Sequence, residues 1–249
     1  MIKQLEFTER EKKHILFSIL IISFVFAYND KSKTFQLGYW LFNLIKTAII
    51  VTIILLIYEY SHKYLAKKYN ATTEHKILSI KQYGIKVTRR LKKAMPLGII
   101  LPILITLLSA GKLFFPLTNQ LEINSKRKHR IGRKFQYVTN YESAKIAAFG
   151  STTIIFFSYI LKTISLITPF TFSYTILISN TIAIFSLIPL PKTNGSIIFF
   201  GSKTLYVLIL TFIIISALLM NQVMPIITLF FAAICAFVTT FLYFSKFEV

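Results

Sequence analysis

Cysteine and acidic residues are scarce in this chain of 249 residues. The single cysteine, Cys235, lies in an apolar run, which excludes an intramolecular disulfide and a cysteine-based zinc cluster. Nine Asp and Glu accompany 29 Lys and Arg, so the formal net charge is +20. Charged residues are only 15% of the chain, whereas soluble domains average about 25%. This composition argues against a water-soluble globule.

Apolar residues, in contrast, make up 55% of the chain, and the mean hydropathy is +0.63. A membrane-spanning helix needs roughly 20 mostly apolar residues. Six stretches reach or approach this length: 14–28, 37–60, 145–166, 170–190, 204–220 and 223–244. A seventh, 95–117, is interrupted by Pro96, Gly98, Pro102, Gly111 and Pro116. The sequence therefore predicts an all-α polytopic membrane protein with about six transmembrane helices and one re-entrant apolar segment.

Two polar loops, 61–94 and 118–144, hold most of the charge. Within them, residues 76–88 alternate partly between apolar and polar around Tyr83-Gly84, which predicts a small β-hairpin element, and 131–138 is a weaker strand candidate. The basic cluster 126–134 suits anionic lipid headgroups better than nucleic acid. The histidines at 14, 75 and 129 have no partner at ligand spacing, so we expect them to be solvated.

The distribution of positive charge predicts the orientation. If 95–117 is re-entrant, 24 of the 29 Lys and Arg fall on one side of the membrane, whereas seven full crossings divide them almost evenly. Because Lys and Arg concentrate on the cytoplasmic side, we expect a multi-pass protein of the cell membrane with both termini cytoplasmic. We expect one membrane domain over 1–249, with a core at about 37–205, an N-terminal helix at 14–28 and C-terminal helices within 204–244.

Residues 58–62 contain a possible catalytic pattern. Tyr58, Glu59 and His62 are spaced so that they share one face of a helix. Zincins place two metal-binding His at i and i+4, with a Glu that activates water beside the first His. Here Tyr58 occupies the position of the first His. On this motif alone, an interfacial Glu–His pair that marks where the helix leaves the bilayer remains the simpler interpretation.

A second segment, NTIAIFSLIPLPKTNGSIIFFG at 180–201, makes the pattern more specific. Together with 58–70 it resembles the site-2 protease family of intramembrane zinc metalloproteases, particularly the archaeal-type members. That family combines HExxHxxxA on one helix with FNLLPxPxLDG on a later one. The resemblance extends over most of the chain to about residue 205. The positions in register with these two motifs are Ala66, Phe185, Leu187, Pro189, Pro191 and Gly195. A third segment, 145–150, resembles the family's KIAxAGP segment up to Gly150, and Ser151 stands where that segment has Pro.

The resemblance implies that Tyr58, His62 and Asn194 occupy the three zinc-ligand positions and that Glu59 occupies that of the general base. Tyr58 stands where the family has His, Asn194 where it has Asp, and Ser186 where it has Asn. Zinc prefers imidazole, thiolate and carboxylate donors, and a phenol keeps its proton at neutral pH. We therefore expect no tight zinc site and no cofactor, with Glu59 a vestigial base.

Three functions remain open from the sequence. The first is a catalytically impaired, site-2-protease-like protein that binds or presents a transmembrane client segment in a former protease cleft. The second is an active zinc-dependent intramembrane metalloendopeptidase. The third is a small transporter or channel that uses Lys46, Lys162 and Asn180 in a polar path, because ionisable residues within the membrane are functional candidates. Expected partners are anionic lipid headgroups and a membrane protein client, not nucleic acid.

Overall fold

The structure, a computed structural model of the chain, describes residues 6–29, 36–82, 90–125 and 138–247. Within these ranges the chain forms eight helices and four short strands, and the predicted helical character is confirmed. The elements are α1 Glu9–Ala27, α2 Leu37–Lys68, β1 Ala71–Ile77, β2 Ile80–Gln82, β3 Arg90–Met95, α3 Leu97–Leu108, β4 Asn119–Ser125, α4 Asn140–Ile167, α5 Ser173–Ser186, α6 Asn194–Gly201, α7 Lys203–Leu219 and α8 Pro225–Phe247.

Capping residues in the sequence explain where α1 and α4 begin. Thr8 precedes α1, and its hydroxyl accepts a hydrogen bond from the Glu11 backbone while the Glu11 carboxylate accepts one from the Thr8 backbone. Thr139 and Glu142 form the same reciprocal pair at the start of α4. Each pair satisfies backbone donors that a helix otherwise leaves without partners.

The end of α2 is fixed by a left-handed residue and by close packing. Asn70 follows the helix with φ of 56°, a conformation that Asn tolerates and that commonly ends helices. The Tyr69 backbone N–H caps the last turn by bonding the carbonyls of the preceding residues. Ala66, on that turn, is buried against Ala71 and Ile146. The small side chain at position 66 thus lets β1 and α4 approach the end of α2.

Helix α4 lies at the centre of the bundle. It contacts α2, α5, α6 and α7. In its most apolar stretch of 18 residues, 56% is buried, compared with 22% in the corresponding stretch of α2 and 17% in that of α8. Its first half buries small residues, which allow neighbouring helix backbones to approach closely within a membrane. These residues are Ala144, Ala147, Ala148, Gly150 and Ser151.

Helices α2, α4 and α8 are long and apolar enough to cross a membrane. α2 and α8 leave many large apolar side chains exposed, including Phe42, Ile49, Phe230 and Phe237. Such patches are rare on soluble monomers and suit contact with lipid. The other predicted segments contain shorter helices. Segment 170–190 contains the 14 residues of α5, and segment 204–220 contains most of the 17 residues of α7. The interrupted segment 95–117 contains the 12 residues of α3.

The small sheets differ from the predicted hairpin. β1 pairs antiparallel with β4, and β2 pairs antiparallel with β3, so residues 76–82 belong to two strands with different partners. The return strand for β2 is Arg90–Met95 rather than residues 84–88, and a strand at 119–125 was not expected. The turn Tyr83-Gly84, the candidate strand 131–137, the basic cluster 126–134 and His129 lie outside the described residues.

Helices α1 and α2 run antiparallel and give the molecule two distinct ends. Near the start of α1, Glu11 pairs with Lys63 near the end of α2. At the other end, the Tyr174 hydroxyl of α5 donates to the carbonyl of Phe26 in α1 and lies 3.2 Å from the Thr47 hydroxyl of α2. The strands and the start of α4 lie at the first end, which also holds the motif residues.

Candidate functional site

Two helices that are far apart in the sequence meet at the residues of the two motifs. Tyr58 and His62 lie on the C-terminal half of α2, and Asn194 is the first residue of α6. Asn194 Nδ2 donates to Tyr58 Oη and lies 3.2 Å from His62 Nε2. The rings of Tyr58 and His62 pack edge to face with their centroids 4.5 Å apart. All three side chains are at most 2% exposed, so the three ligand positions form one buried cluster.

The backbone of α4 closes this cluster on one side. His62 Nε2 lies 3.3 Å from the carbonyl oxygen of Ala147, and a Cβ added to Gly150 would lie 2.2 Å from the same nitrogen. Gly150 is therefore the residue that lets the imidazole contact the α4 backbone. One position later, the Ser151 hydroxyl lies 2.7 Å from the Ser186 hydroxyl. These two serines, both of which differ from the family motifs, therefore form a hydrogen bond between α4 and α5.

The proline-containing loop between α5 and α6 positions Asn194. Pro189 and Pro191 are exposed in this loop, and the buried Thr193 caps α6. A Cβ at Gly195 would lie 2.1 Å from the carbonyl oxygen of Leu187, so the first turn of α6 packs directly on the last turn of α5. The motif thus has a structural reason for glycine after the ligand position, independent of any metal.

Glu59 does not face the cluster of ligand positions. Its Oε1 accepts a hydrogen bond of 2.7 Å from His75 Nδ1, and its Oε2 lies 3.8 Å from His62 Nδ1. His75 Nε2 lies 2.9 Å from the Ser18 hydroxyl of α1. The expectation that His75 is solvated is wrong, because it is 1% exposed. A carboxylate buried without water needs such partners, and β1 supplies one.

A second buried carboxylate joins the same network. Glu11 Oε2 accepts from Lys63 Nζ at 2.9 Å, and Glu11 Oε1 accepts from the backbone N–H of His75 at 3.2 Å. Lys63 also donates to the carbonyl oxygen of Thr73. The Glu11 and Lys63 side chains are 2% and 4% exposed. Both carboxylates therefore bind the same short strand, β1, which lies against α1 and α2.

The order Ser18, His75, Glu59 resembles a Ser–His–acid triad in connectivity. In such triads the acid orients the imidazole, which then takes the proton of an attacking serine hydroxyl. Ser18, however, is fully buried in the middle of α1, so no substrate carbonyl reaches its hydroxyl in this structure. Ser18 and Glu59 instead occupy both ring nitrogens of His75 and hold its orientation.

The donor set does not fit a tight zinc site. Tyr58 is a phenol and Asn194 a neutral amide, and both hydrogen-bond within the cluster. His62 Nε2, the nitrogen directed toward them, is surrounded by the Asn194 amide and the α4 backbone. In the part of the chain that the structure describes, no group of three or more His, Cys, Asp or Glu is arranged to hold a metal ion. Zinc sites in proteins instead use three or four charged or imidazole donors.

Among the described residues, three buried polar atoms in and beside the cluster form no hydrogen bond. They are Glu59 Oε2, His62 Nδ1 and Asn194 Oδ1. Native proteins leave few such atoms unsatisfied, and those that remain often occur at functional sites. These three atoms therefore keep hydrogen-bonding capacity that the described residues do not use, although the arrangement lacks the donors for zinc.

Sequence reasoning missed Glu11, Ser18, Lys63 and His75. In the structure β1 alternates in burial, and His75 shares the buried face with Ala71 and Thr73, but the polar run 72–76 conceals this alternation in the sequence. The partners Glu11 and Lys63 lie 52 residues apart. In the sequence, each of the two charged residues looks like an ordinary polar residue near a helix end. Only the packing of α1 against α2 shows that Glu11 and Lys63 form a pair.

A cavity lies between the C-terminal half of α2 and α4. Its volume is about 520 Å³, and its walls are almost entirely apolar. The lining residues are Ile53, Leu56, Ile57, Tyr60, Ser61, Tyr64, Phe149 and Thr153. It opens widely at the exposed, apolar face of α2, so an apolar segment can enter it from the side.

We predict that Gly150→Ala destabilises the protein by about 1–3 kcal/mol, because the new methyl group overlaps the His62 ring and overpacking costs this much. The measurement is thermal unfolding in detergent. The matched control is Gly38→Ala on α2, where nothing lies within 4 Å of the added Cβ and alanine favours helix. Equal melting temperatures for the two variants would contradict the close approach of His62 to α4.

We predict that Glu11→Gln lowers the free energy of unfolding by about 3–5 kcal/mol, because it leaves Lys63 buried without its counter-ion. The control is Glu9→Gln, two residues earlier, which removes a carboxylate from an exposed pair with Lys12. Unfolding followed by circular dichroism should show a large fall in stability for the first variant and none for the second. A stable Glu11→Gln protein would mean that the buried ion pair is absent.

Comparisons of the chain with protein-family models, with curated proteins and with solved structures found no match. The resemblance to site-2 proteases therefore stays a prediction from the two motifs.

Proposed function

We propose that the protein is a catalytically impaired, site-2-protease-like membrane protein that holds a transmembrane segment of a client without cleaving it. One observation carries the proposal: Asn194 contacts both Tyr58 and His62 in a buried cluster, across 136 and 132 residues of sequence. The contact supports a retained protease scaffold whose ligand positions have become a hydrogen-bonded cluster.

The chemistry of the cluster supports loss of hydrolysis. Metal-dependent peptide hydrolysis needs a cation to lower the pKa of bound water and a base to take its proton. Tyr58 and Asn194 are poor zinc donors, and Glu59, at the position of the base, is held by His75. The nucleophile and its activator are therefore both missing from this donor set.

The apolar cavity between α2 and α4 supports binding of a client helix. It lies between the helix that carries Tyr58 and His62 and helix α4, and it opens at an exposed apolar face, where an apolar helix meets almost entirely apolar walls. Helices in membranes associate by close packing and by hydrogen bonds from small polar groups. The strands β2 and β3 provide a further contact, because a two-stranded sheet has edges that accept an extended segment.

In the proposed arrangement six segments cross the membrane and both termini are cytoplasmic. The 12 residues of α3 extend only about 18 Å, less than the roughly 30 Å of the hydrocarbon core. This length supports the re-entrant assignment. α5 and α7 also cross in this arrangement, with their flanking residues included.

We predict that the purified protein contains far less than one zinc per chain and that the double variant Tyr58→His, Asn194→Asp contains about one. The double variant restores an imidazole and a carboxylate around His62. Metal analysis by inductively coupled plasma mass spectrometry makes the comparison. The control adds His62→Ala to the double variant and should lose the zinc again.

Two results would reject parts of the proposal. Stoichiometric zinc in the unaltered protein, lost on His62→Ala, would favour the active metallopeptidase, and Glu59→Gln would then abolish chelator-sensitive cleavage. A double variant that folds but gains no zinc would show that the ligand positions do not keep the geometry of the protease.

We predict that a photo-crosslinker at Tyr60, which lines the cavity, captures one discrete membrane protein, whereas the same group at Phe237 on the exposed face of α8 captures only lipid. Ile57→Trp fills the cavity and should abolish the Tyr60 adduct without changing the melting temperature. The captured protein, once identified, should bind the purified chain in nanodiscs. Identical adducts at both positions, or an adduct that persists in the Ile57→Trp protein, would contradict the cavity as the client site.

A further inference from the structure

A second cavity, of about 540 Å³, lies at the opposite end of α1 and α2 from the buried cluster. Four parts of the chain converge on it: the end of α1, the first half of α2, the turn after α3 and the start of α5. Lys46 and Lys112 both line it, with the amide side chains of Asn29 and Asn43. The cavity therefore combines two cations with neutral hydrogen-bonding groups.

The turn that carries Lys112 is held in place by its backbone and its neighbours. Ala110 and Gly111 have φ of 50° and 70°, and the Gly111 N–H donates to the carbonyl of Thr106. A Cβ at Gly111 would lie 2.7 Å from Asn29 Cβ, so this turn packs directly on the segment after α1. The placement of Lys112 at the cavity thus follows from a compact turn.

Apolar rings form the other wall of this cavity. Phe26 and Phe114 stack with centroids 4.9 Å apart, and Leu177 lies beside them. Tyr174 is fixed in the wall by hydrogen bonds with Phe26 and Thr47. A ligand that fits must therefore present an anionic head toward the lysines and apolar groups toward the rings.

The charges of the described residues favour an anion here. The acidic side chains in the described ranges lie at the other end of the molecule, in the first turns of α1 and α4, near the end of α2 and in strands β1 and β4. Within the same ranges, neither Lys46 nor Lys112 forms an ion pair. Lys46 is exposed on α2.

The ammonium group of a lysine beside apolar surface pairs favourably with a lipid phosphate. Two such groups on separate elements, above an aromatic wall, match the phosphate and upper acyl region of one lipid. We propose that this cavity binds the phosphate head of an anionic amphiphile, with phosphatidylglycerol as the probe. This site is separate from the proposed client cavity and does not depend on it.

The test counts tightly bound lipid by native mass spectrometry after the full-length protein is reconstituted with phosphatidylglycerol or phosphatidylcholine. Because the chain has a net charge of +20, its surface binds anionic lipid in general, so the decisive quantity is the difference between variants. We expect Lys46→Gln, Lys112→Gln to weaken phosphatidylglycerol binding on the order of thirtyfold, the loss expected for two cations near the membrane surface. Phosphatidylcholine binding should not change.

The control is Lys162→Gln, which removes a lysine from α4 that does not line this cavity and should change binding by less than about twofold. Lys46→Arg keeps the cation and should retain the lipid. Inorganic phosphate added without lipid distinguishes a lipid headgroup from a soluble phosphate compound as the ligand. Thermal stabilisation by phosphate alone that depends on Lys46 and Lys112 would indicate a soluble phosphate compound. No such stabilisation would indicate a lipid. Equal phosphatidylglycerol binding by the double variant and the Lys162→Gln control would overturn the proposal.

Discussion

The structure depends on burying two carboxylates, Glu11 and Glu59, at the junction of α1, α2 and β1. A carboxylate removed from water without a partner costs several kcal/mol, so these helices can pack in this arrangement only if Lys63 and His75 reach them. Lys63 comes from the same helix as Glu59, whereas His75 comes from β1 and is placed by the pairing of that strand with β4, opposite Leu121. The small sheet thus has a definite role, which is to bring an imidazole and a backbone N–H to the two acids.

This network changes what the motif residues can do. In a zinc protease the glutamate of the motif must face the metal-bound water, but here its nearest partner is His75. The three ligand positions lie next to it and bond one another through the Asn194 amide. Hydrogen bonds within the protein stabilise both the Glu59–His75 pair and the cluster of Tyr58, His62 and Asn194. The amide of Asn194 and the phenol of Tyr58 thus satisfy part of the polar lining through their own hydrogen bond.

The antiparallel arrangement of α1 and α2 separates two regions of different chemistry. At one end, buried acids, imidazoles and strands surround the motif residues. At the other, Lys46 and Lys112 face a cavity walled by aromatic rings. Between them, the helix surfaces are apolar and suit lipid. The proposed client cavity and this cavity share only α2, which lines the first with its C-terminal half and the second with its N-terminal half.

Composition and local pattern in the sequence predicted a helical chain with segments apolar enough to cross a membrane, the approximate positions of most helices, and the candidate positions Tyr58, His62 and Asn194. These predictions follow from hydropathy and motif register, which are read directly from residue types. The strand at 119–125, the partner of β2 and the burial of His75 could not be read in this way. They depend on contacts between segments far apart in the chain, and His75 looks solvated in its own polar neighbourhood. Only the packing of α1 and α2 against β1 removes water from that neighbourhood, and that removal makes the ion pairs necessary.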